Sequence, residues 1–152
     1  MVASKVDEHG LFLFYYSGHG GKLGKLTIGG EGRVFNVDNL LAEFEGIKGN
    51  RLCILDCCFA RNFRVIGGLN NCAFMGSSQE DEAAYERVKE GGIYTQALVR
   101  ALRHALSKNN NYVRVGELRV TDFKTEYHVA EGQEFTMFGS LSFTVRPASP
   151  RT

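Results

Sequence analysis

The stretches FYYSGHG (residues 14–20) and ILDCCF (residues 54–59) decide the fold that we predict. Each is an apolar run that ends in small, polar or sulfur-bearing residues, which is typical of a buried strand closed by a loop. The first run begins at Leu11, and its unbroken apolar character predicts burial on both faces. Because the carboxyl ends of parallel strands meet at one edge of a sheet, we expect His19 and Cys58 to lie close together.

The rest of the chain alternates between strand-like and helical patterns, and strands separated by helices indicate an α/β sandwich with a mostly parallel sheet. The apolar periods and the glycine positions predict helices over 36–47 and 93–106, a third strand over 72–76, a hairpin of 25–28 with 33–35, a short helix over 116–124, and a hairpin or final strand over 135–145.

Composition excludes several classes of protein. The 152 residues, 43% of them hydrophobic and 23% charged, suit one globular domain, and a net charge of +1 gives no reason to expect nucleic acid or an anionic membrane as a partner. The longest apolar run is far shorter than the roughly 20 residues of a membrane helix. The four cysteines include no CxxC pair, so we predict no metal site of the zinc type and reduced thiols in the cytoplasm.

The expected meeting of His19 and Cys58 suits the chemistry of a cysteine protease. Such an enzyme needs a thiolate nucleophile, an imidazole that takes the thiol proton, and amide donors aimed at the developing oxyanion. Gly20 has no side chain to shield its amide, and the amide of Cys58 lies at the turn that follows a strand. These two amides are therefore the candidate oxyanion donors.

The same stretches resemble the catalytic His and Cys segments of caspase-like peptidases, metacaspases and paracaspases. Two more stretches extend the resemblance: GSSQEDEA (76–83) is similar to the family's A-S-x-x-x-E-x-A, and GIYTQAL (92–98) to its G-x-F-T-x-A-L. The D-x-C pattern at 56–58 is closer to metacaspase-like members than to true caspases, whose Q-A-C-[RQG]-G signature is missing. The resemblance implies a caspase-like three-layer sandwich and a thiol protease acting on protein or peptide substrates.

Residue by residue, the resemblance assigns the nucleophile to Cys58 and the general base to His19. It also makes Asp56 a substrate-binding residue, because the aspartate of D-x-C helps to line the pocket for a basic side chain in metacaspases. A carboxylate there favours cleavage after Arg or Lys. The alternative is that Asp56 caps the helix that follows it.

The resemblance also has implications for the limits of the domain. We expect a caspase-like domain over 1–146 and a disordered tail over 147–152. Family domains place two strands and a helix before the histidine strand, whereas ten residues precede Leu11 here. The domain is therefore expected to be N-terminally truncated, with an open sheet edge that pairs with a second copy or with a partner chain.

A second functional hypothesis is a catalytically weak or inactive caspase-like module that acts in assembly or signalling. It is motivated by the missing strands and by Arg61, which stands where metacaspases have the glycine of H-S-G. Calcium is a further possibility that the resemblance raises, with Glu80, Asp81 and Glu82 as candidate ligands. The resemblance also implies a role in programmed cell death.

Overall fold

The computed structural model describes residues 4–29, 32–87, 89, 91–109, 112–124, 133–139 and 144–145. The strands are β1 Leu11–Ser17, β2 Gly20–Gly21, β3 Lys25–Ile28, β4 Arg33–Asn36, β5 Asn50–Asp56, β6 Cys72–Gly76, β7 Glu86–Arg87, β8 Gly91–Gly92, β9 Val113–Arg114, β10 Thr136–Gly139 and β11 Thr144–Val145. The α-helices are α1 Val37–Gly46 and α2 Ile93–Lys108, and the 3₁₀ helices are Ala60–Gly68, Val115–Glu117 and Val120–Phe123.

The central sheet has four strands in the order β1-β5-β6-β10. The pairs β1–β5 and β5–β6 are parallel, and β10 is antiparallel to β6. This confirms the predicted α/β fold with a mostly parallel sheet. The β1–β5 register ends with Ser17 opposite Asp56, so the loops that carry His19 and Cys58 leave the sheet side by side.

Helical layers cover both faces of the sheet and make the three-layer sandwich. One face packs against α1 and the 3₁₀ helix Ala60–Gly68 through a core that includes Phe44, Cys53, Phe63 and Phe74. The other face packs against α2 through a core built from Leu52, Ile54, Ala73, Met75, Tyr94, Ala97, Leu98 and Ala101. The strands alternate inward and outward side chains, which is why successive residues of β5 belong to opposite cores.

The prediction that β1 is buried on both faces is wrong. Phe12 and Phe14 pack edge-on against the ring of Phe44, with centroids 5.5 and 6.4 Å away. On the opposite face, Leu13 is 48% exposed and Tyr15 is 44% exposed. The physical reason is that β1 lies at the edge of the sheet, while the core beneath α2 is built on β5 and β6.

The predicted helices correspond to α1 and α2, and the predicted hairpin is the β3–β4 pair. Asn36 caps α1 in a capping box with Asn39. Of the two alternatives predicted for 135–145, β10 is a strand at the edge of the central sheet and pairs with β6, whereas β11 pairs with β9 rather than with β10. The predicted tail 147–152 lies outside the described residues.

Within the described part of the chain, no helix has the length and apolar character needed to cross a membrane.

Candidate active site

An open cavity of about 240 Å³ lies where β1 and β5 end. It brings together His19, Asp56 and Cys58, three of the four residues that the sequence predicts for the site, and the fourth, Gly20, is not among its lining residues. Larger cavities elsewhere on the described surface have no cysteine in their walls. The lining residues are Ser17, Gly18, His19, Asp56, Cys57, Cys58, Ala84, Tyr85, Glu86 and Gly92.

The main chain of His19 is held firmly while its side chain remains exposed. The Tyr16 hydroxyl lies 2.9 Å from the His19 carbonyl oxygen and 2.7 Å from that of Thr27. The Thr27 amide donates to the same His19 carbonyl at 3.1 Å. The loop after β1 is therefore fixed at its backbone, with an imidazole presented at the cavity.

Gly20 brings the backbone after His19 directly against the cysteine loop. A Cβ atom at this position would collide with the carbonyl oxygen of Cys58 and lie 2.9 Å from the sulfur of Cys57. Gly20 faces Leu26 in the β2–β3 pair, one position from the hydrogen bond between Thr27 and His19. Bonded and non-bonded positions alternate in an antiparallel pair, so the Gly20 amide points away from β3.

Two buried serines hold the turn that carries the cysteines. Ser77 accepts a hydrogen bond from the Cys57 amide and donates to the Cys57 carbonyl, both at 3.0 Å. Ser78 donates to the same carbonyl at 2.9 Å and accepts from the amide of Ala60 at 3.1 Å. The turn itself is tight, because Phe59 adopts a left-handed conformation with φ of 57°. Sequence reasoning used these serines only as part of a motif and missed this positioning role.

The adjacent cysteines Cys57 and Cys58 occupy very different environments. Cys57 is 2% exposed, and burial raises the pKa of its thiol to about 12. Cys58 is half-buried at the cavity, where its thiol donates to the Ala84 carbonyl at 3.7 Å and accepts from the Ala84 amide at 3.4 Å. Since the thiolate is the reactive form of cysteine, Cys58 is the one of the two that the structure presents for chemistry.

Asp56 lines the same cavity and is only 4% exposed. Its Oδ2 atom accepts hydrogen bonds from the amide of Thr95 at 3.1 Å and from the hydroxyl of Thr95 at 2.5 Å. Burial raises the pKa of this carboxyl. Thr95 opposes the rise through its hydrogen bonds, as does the Ser77 hydroxyl to a smaller extent, and nearby Glu86 adds to the rise. Asp56 therefore caps the first turn of α2, which is a different helix from the one that follows it in sequence.

Glu86 is the acidic residue of the cavity that sequence reasoning missed. It lies in β7, within a polar stretch whose sequence indicates a surface loop or an irregular helix. The amide of the preceding Tyr85 donates to Gln133 Oε1 at 3.2 Å, and Gln133 Nε2 donates to the Ser77 carbonyl at 2.7 Å. Gln133 is 1% exposed and ties this cavity wall to the serine pair.

Arg61 is not among the residues that line the cavity, although it lies close after Cys58 in sequence. Its guanidinium lies 5.0 Å from the centroid of the Phe138 ring and donates to Gln79 Oε1 at 2.5 Å. The side chain therefore couples the turn after Cys58 to β10. The space beside the thiol is not filled by this substitution for glycine.

Two of the three carboxylates suggested as calcium ligands, Glu80 and Glu82, have other partners. Glu80 pairs with Arg64 at 2.9 Å, and Glu82 accepts hydrogen bonds from the amides of Gln79 at 3.0 Å and Glu134 at 2.8 Å. Across the described ranges, no group of three His, Cys, Asp or Glu side chains is placed to hold a metal ion. In this arrangement Glu80, Asp81 and Glu82 do not form a ligand set, and we assign no step of the chemistry to calcium.

The comparisons with known proteins bear on the family and the fold of the chain. Residues 1–125 match the family model described as caspase domain. Among solved structures, the fold is similar to the crystal structure of caspase-1 from Spodoptera frugiperda, with a TM-score of 0.60 and 17% sequence identity over 85% of this chain and 60% of that one. At this identity the likeness shows the fold alone. No curated protein matched the sequence.

Proposed function

This chain belongs to the caspase domain family, and we propose that it is a cysteine endopeptidase with Cys58 as nucleophile and His19 as general base. Members of this family are cysteine peptidases. The observation that carries the proposal is the single cavity in which a half-buried thiol and an exposed imidazole lie at the ends of neighbouring parallel strands.

The proposed reaction begins with transfer of the Cys58 thiol proton to the His19 ring. The sulfur then attacks the carbonyl carbon of the scissile peptide, and the amides of Gly20 and Cys58 stabilise the resulting oxyanion. When the C–N bond breaks, His19 returns the proton to the leaving amine, and water hydrolyses the thioester that remains. In the resting structure the Cys58 thiol donates to the Ala84 carbonyl, so transfer of its proton to His19 requires the thiol to give up this contact.

His19→Ala tests the general base directly. We expect kcat to fall by about 100-fold or more, since a positioned acid–base group typically contributes 10²–10⁴-fold. The rate of Cys58 alkylation by iodoacetamide at neutral pH should also fall, because less thiolate forms without the imidazole. Stopped assays with a fluorogenic peptide and mass spectrometry of the alkylated protein measure the two effects. His9→Ala is the matched control, since His9 is exposed and lies outside the cavity.

We also propose cleavage after Arg or Lys, as the D-x-C resemblance implies. Asp56 and Glu86 both line the cavity, so a cationic substrate side chain meets two carboxylates there. Burial makes the ionised form of the Asp56 carboxyl unfavourable in free energy. A cation that binds beside it offsets that cost. The acidic wall disfavours a substrate with an aspartate at the same position.

Asp56→Asn is expected to remove the preference for a basic side chain. The ratio of kcat/KM for an arginine peptide to that for the matched peptide with neutral citrulline should fall about 10-fold to 100-fold, the value of a hydrogen bond to a charged group. Glu86→Gln, at the exposed wall of the cavity, should lower the same ratio less. An unchanged ratio in Asp56→Asn would remove Asp56 from the specificity site.

The same substitution gives a stability test with a definite sign. Burial holds the folded-state pKa of Asp56 above its unfolded value of about 3.9. A carboxyl of this kind contributes stability below its unfolded pKa, and that contribution is lost as the pH rises through its folded pKa. The Tm of Asp56→Asn minus that of the wild type should therefore increase from about pH 4 to about pH 8. A difference that shrinks over this range contradicts the raised pKa.

A second candidate function is assembly through the open edge of β1. This strand carries no charged residue or proline, it pairs with β5 alone among the described strands, and Leu11, Leu13 and Tyr15 are exposed along it. Natural edge strands are usually protected against pairing, and this one lacks such protection. We propose that a strand of a second copy or of a partner chain pairs here. The truncation of the domain before β1 stays a prediction.

Leu13→Lys tests this assembly, because a charge on the exposed face of an edge strand opposes pairing. If the wild type forms dimers, light scattering after gel filtration should show the variant as a monomer. Leu23→Lys is the control, since Leu23 is 81% exposed and lies in the turn between β2 and β3. A wild type that stays monomeric at all concentrations excludes self-assembly and leaves only a partner chain for this edge.

Calcium dependence, a cytoplasmic location and a role in programmed cell death stay predictions. Cleavage of a peptide library with and without added calcium tests the first of these and reports the side-chain preference in the same experiment.

A further inference from the structure

A chain of hydrogen bonds connects the exposed face of β1 to the acidic wall of the active site. The Tyr15 hydroxyl lies 2.7 Å from Thr95 Oγ1, and Thr95 Oγ1 lies 2.5 Å from Asp56 Oδ2. The three residues belong to β1, the first turn of α2 and the end of β5. Hydrogen bonds therefore link β1 and α2 to a carboxylate at the end of β5.

The chemistry of these groups fixes the direction of donation. A threonine hydroxyl has a single proton, and at Thr95 this proton goes to the Asp56 carboxylate. Tyr15 must then be the donor to Thr95 Oγ1. Hydrogen bonds arranged in this way polarise one another, so the Tyr15 hydroxyl strengthens the bond from Thr95 to the carboxylate.

Helix capping alone does not require this arrangement. The amide of Thr95 already donates to Asp56 Oδ2 at 3.1 Å. That bond satisfies this amide, which has no acceptor within the first turn of the helix. The hydroxyl adds a second bond to the same oxygen and fixes the rotation of the carboxylate group. Gly92 leaves the necessary space, because a Cβ atom there would collide with Asp56 Oδ2.

We propose that Thr95, supported by Tyr15, is the positioning residue that fixes the Asp56 carboxylate for recognition of a basic substrate side chain. The proposal rests on the proposed function, since it assigns the residues that make Asp56 a specificity determinant. Thr95 does not touch substrate and acts through Asp56. Its hydroxyl orients the carboxylate and, with a smaller contribution from Ser77, lowers the pKa of Asp56 in a place where burial raises it.

Other titratable groups near Asp56 do not supply this support. Glu86 acts in the opposite direction and raises the pKa of Asp56. The remaining titratable groups are His19 from the loop after β1, Cys57 and Cys58 from the adjoining turn, and Tyr94 from α2. Among the contacts of the described residues, none of these groups donates a hydrogen bond to the Asp56 carboxylate.

Three variants test the chain of hydrogen bonds. Thr95→Val keeps the shape and the amide bond but removes the hydroxyl, Thr95→Ser restores the hydroxyl, and Tyr15→Phe removes only the outer donor. We expect Thr95→Val to lower the arginine-to-citrulline ratio of kcat/KM by about 10-fold, Tyr15→Phe to lower it by about 2-fold, and Thr95→Ser to keep it near the wild-type value.

A second readout does not depend on catalysis. Carboxyl-carbon NMR titration of Asp56 should show its pKa rising most in Thr95→Val, less in Tyr15→Phe, and little in Thr95→Ser. If the pKa and the ratio stay unchanged in Thr95→Val while Asp56→Asn abolishes selectivity, Thr95 has no positioning role and the proposed specificity stands. If Asp56→Asn leaves selectivity unchanged, the proposed specificity fails, and a raised pKa in Thr95→Val still shows the hydrogen-bonded support. Should Thr95→Val not fold, Tyr15→Phe gives the same test from a half-exposed position.

Discussion

Cys58→Ala should abolish peptide hydrolysis, with a loss of at least about 1,000-fold in kcat, because removing the nucleophile eliminates the covalent step. Cys57→Ala should retain most of the activity. The two residues are neighbours in sequence, but Cys57 is enclosed beneath the serine pair and its pKa is raised to about 12. At neutral pH almost none of it is thiolate, whereas Cys58 faces the cavity.

Alkylation by iodoacetamide followed by peptide mapping distinguishes the two thiols without any assumption about the substrate. The expected result is rapid modification at Cys58, which disappears in Cys58→Ala and persists in Cys57→Ala. Rapid labelling of Cys57 in the native protein would overturn the assignment of the nucleophile. Cys53 and Cys72 should stay unlabelled in the folded state because both are fully buried.

The meeting of His19 and Cys58 at one cavity could be predicted because it follows from strand topology. Two apolar runs that each end in reactive residues need only pair in parallel, and the observed register places Ser17 opposite Asp56. The side-chain period also sufficed to predict α1 and α2, each of which buries one apolar face. In these cases the pattern of side chains within each segment is enough to predict its secondary structure and the position of its reactive residues.

Burial of β1 could not be predicted, because it depends on which element lies over the strand. The run that begins at Leu11 is apolar on both faces, yet Leu13 and Tyr15 are exposed where α2 leaves the edge strand uncovered. The contacts of Thr95 with Asp56, 39 positions away, depend on the way α2 docks against the sheet. A single segment contains no signal for contacts of this kind.

Gly20→Ala should reduce kcat/KM by about 100-fold, the usual cost of losing one oxyanion-hole donor. The added Cβ atom collides with the Cys58 carbonyl oxygen and lies 3.1 Å from the Cys57 Cβ atom. One of the two loops must then move, which separates the Gly20 amide from the cysteine amide. Because the obstacle is backbone rather than a flexible side chain, a change of rotamer cannot relieve it.

Gly21→Ala is the matched control for this prediction, since its added Cβ atom would make ordinary contacts with Lys25, 3.4 Å from its Cβ atom and 4.0 Å from its carbonyl oxygen. Both variants change one glycine of β2 to alanine, so they alter the flexibility of the unfolded chain equally. We expect Gly21→Ala to stay within about 3-fold of wild-type kcat/KM, whereas Gly20→Ala loses activity and also has a lower Tm. Equal activities in the two variants would mean that catalysis does not need the close approach of Gly20 to the cysteine loop, and the oxyanion donor would have to be sought elsewhere in the cavity.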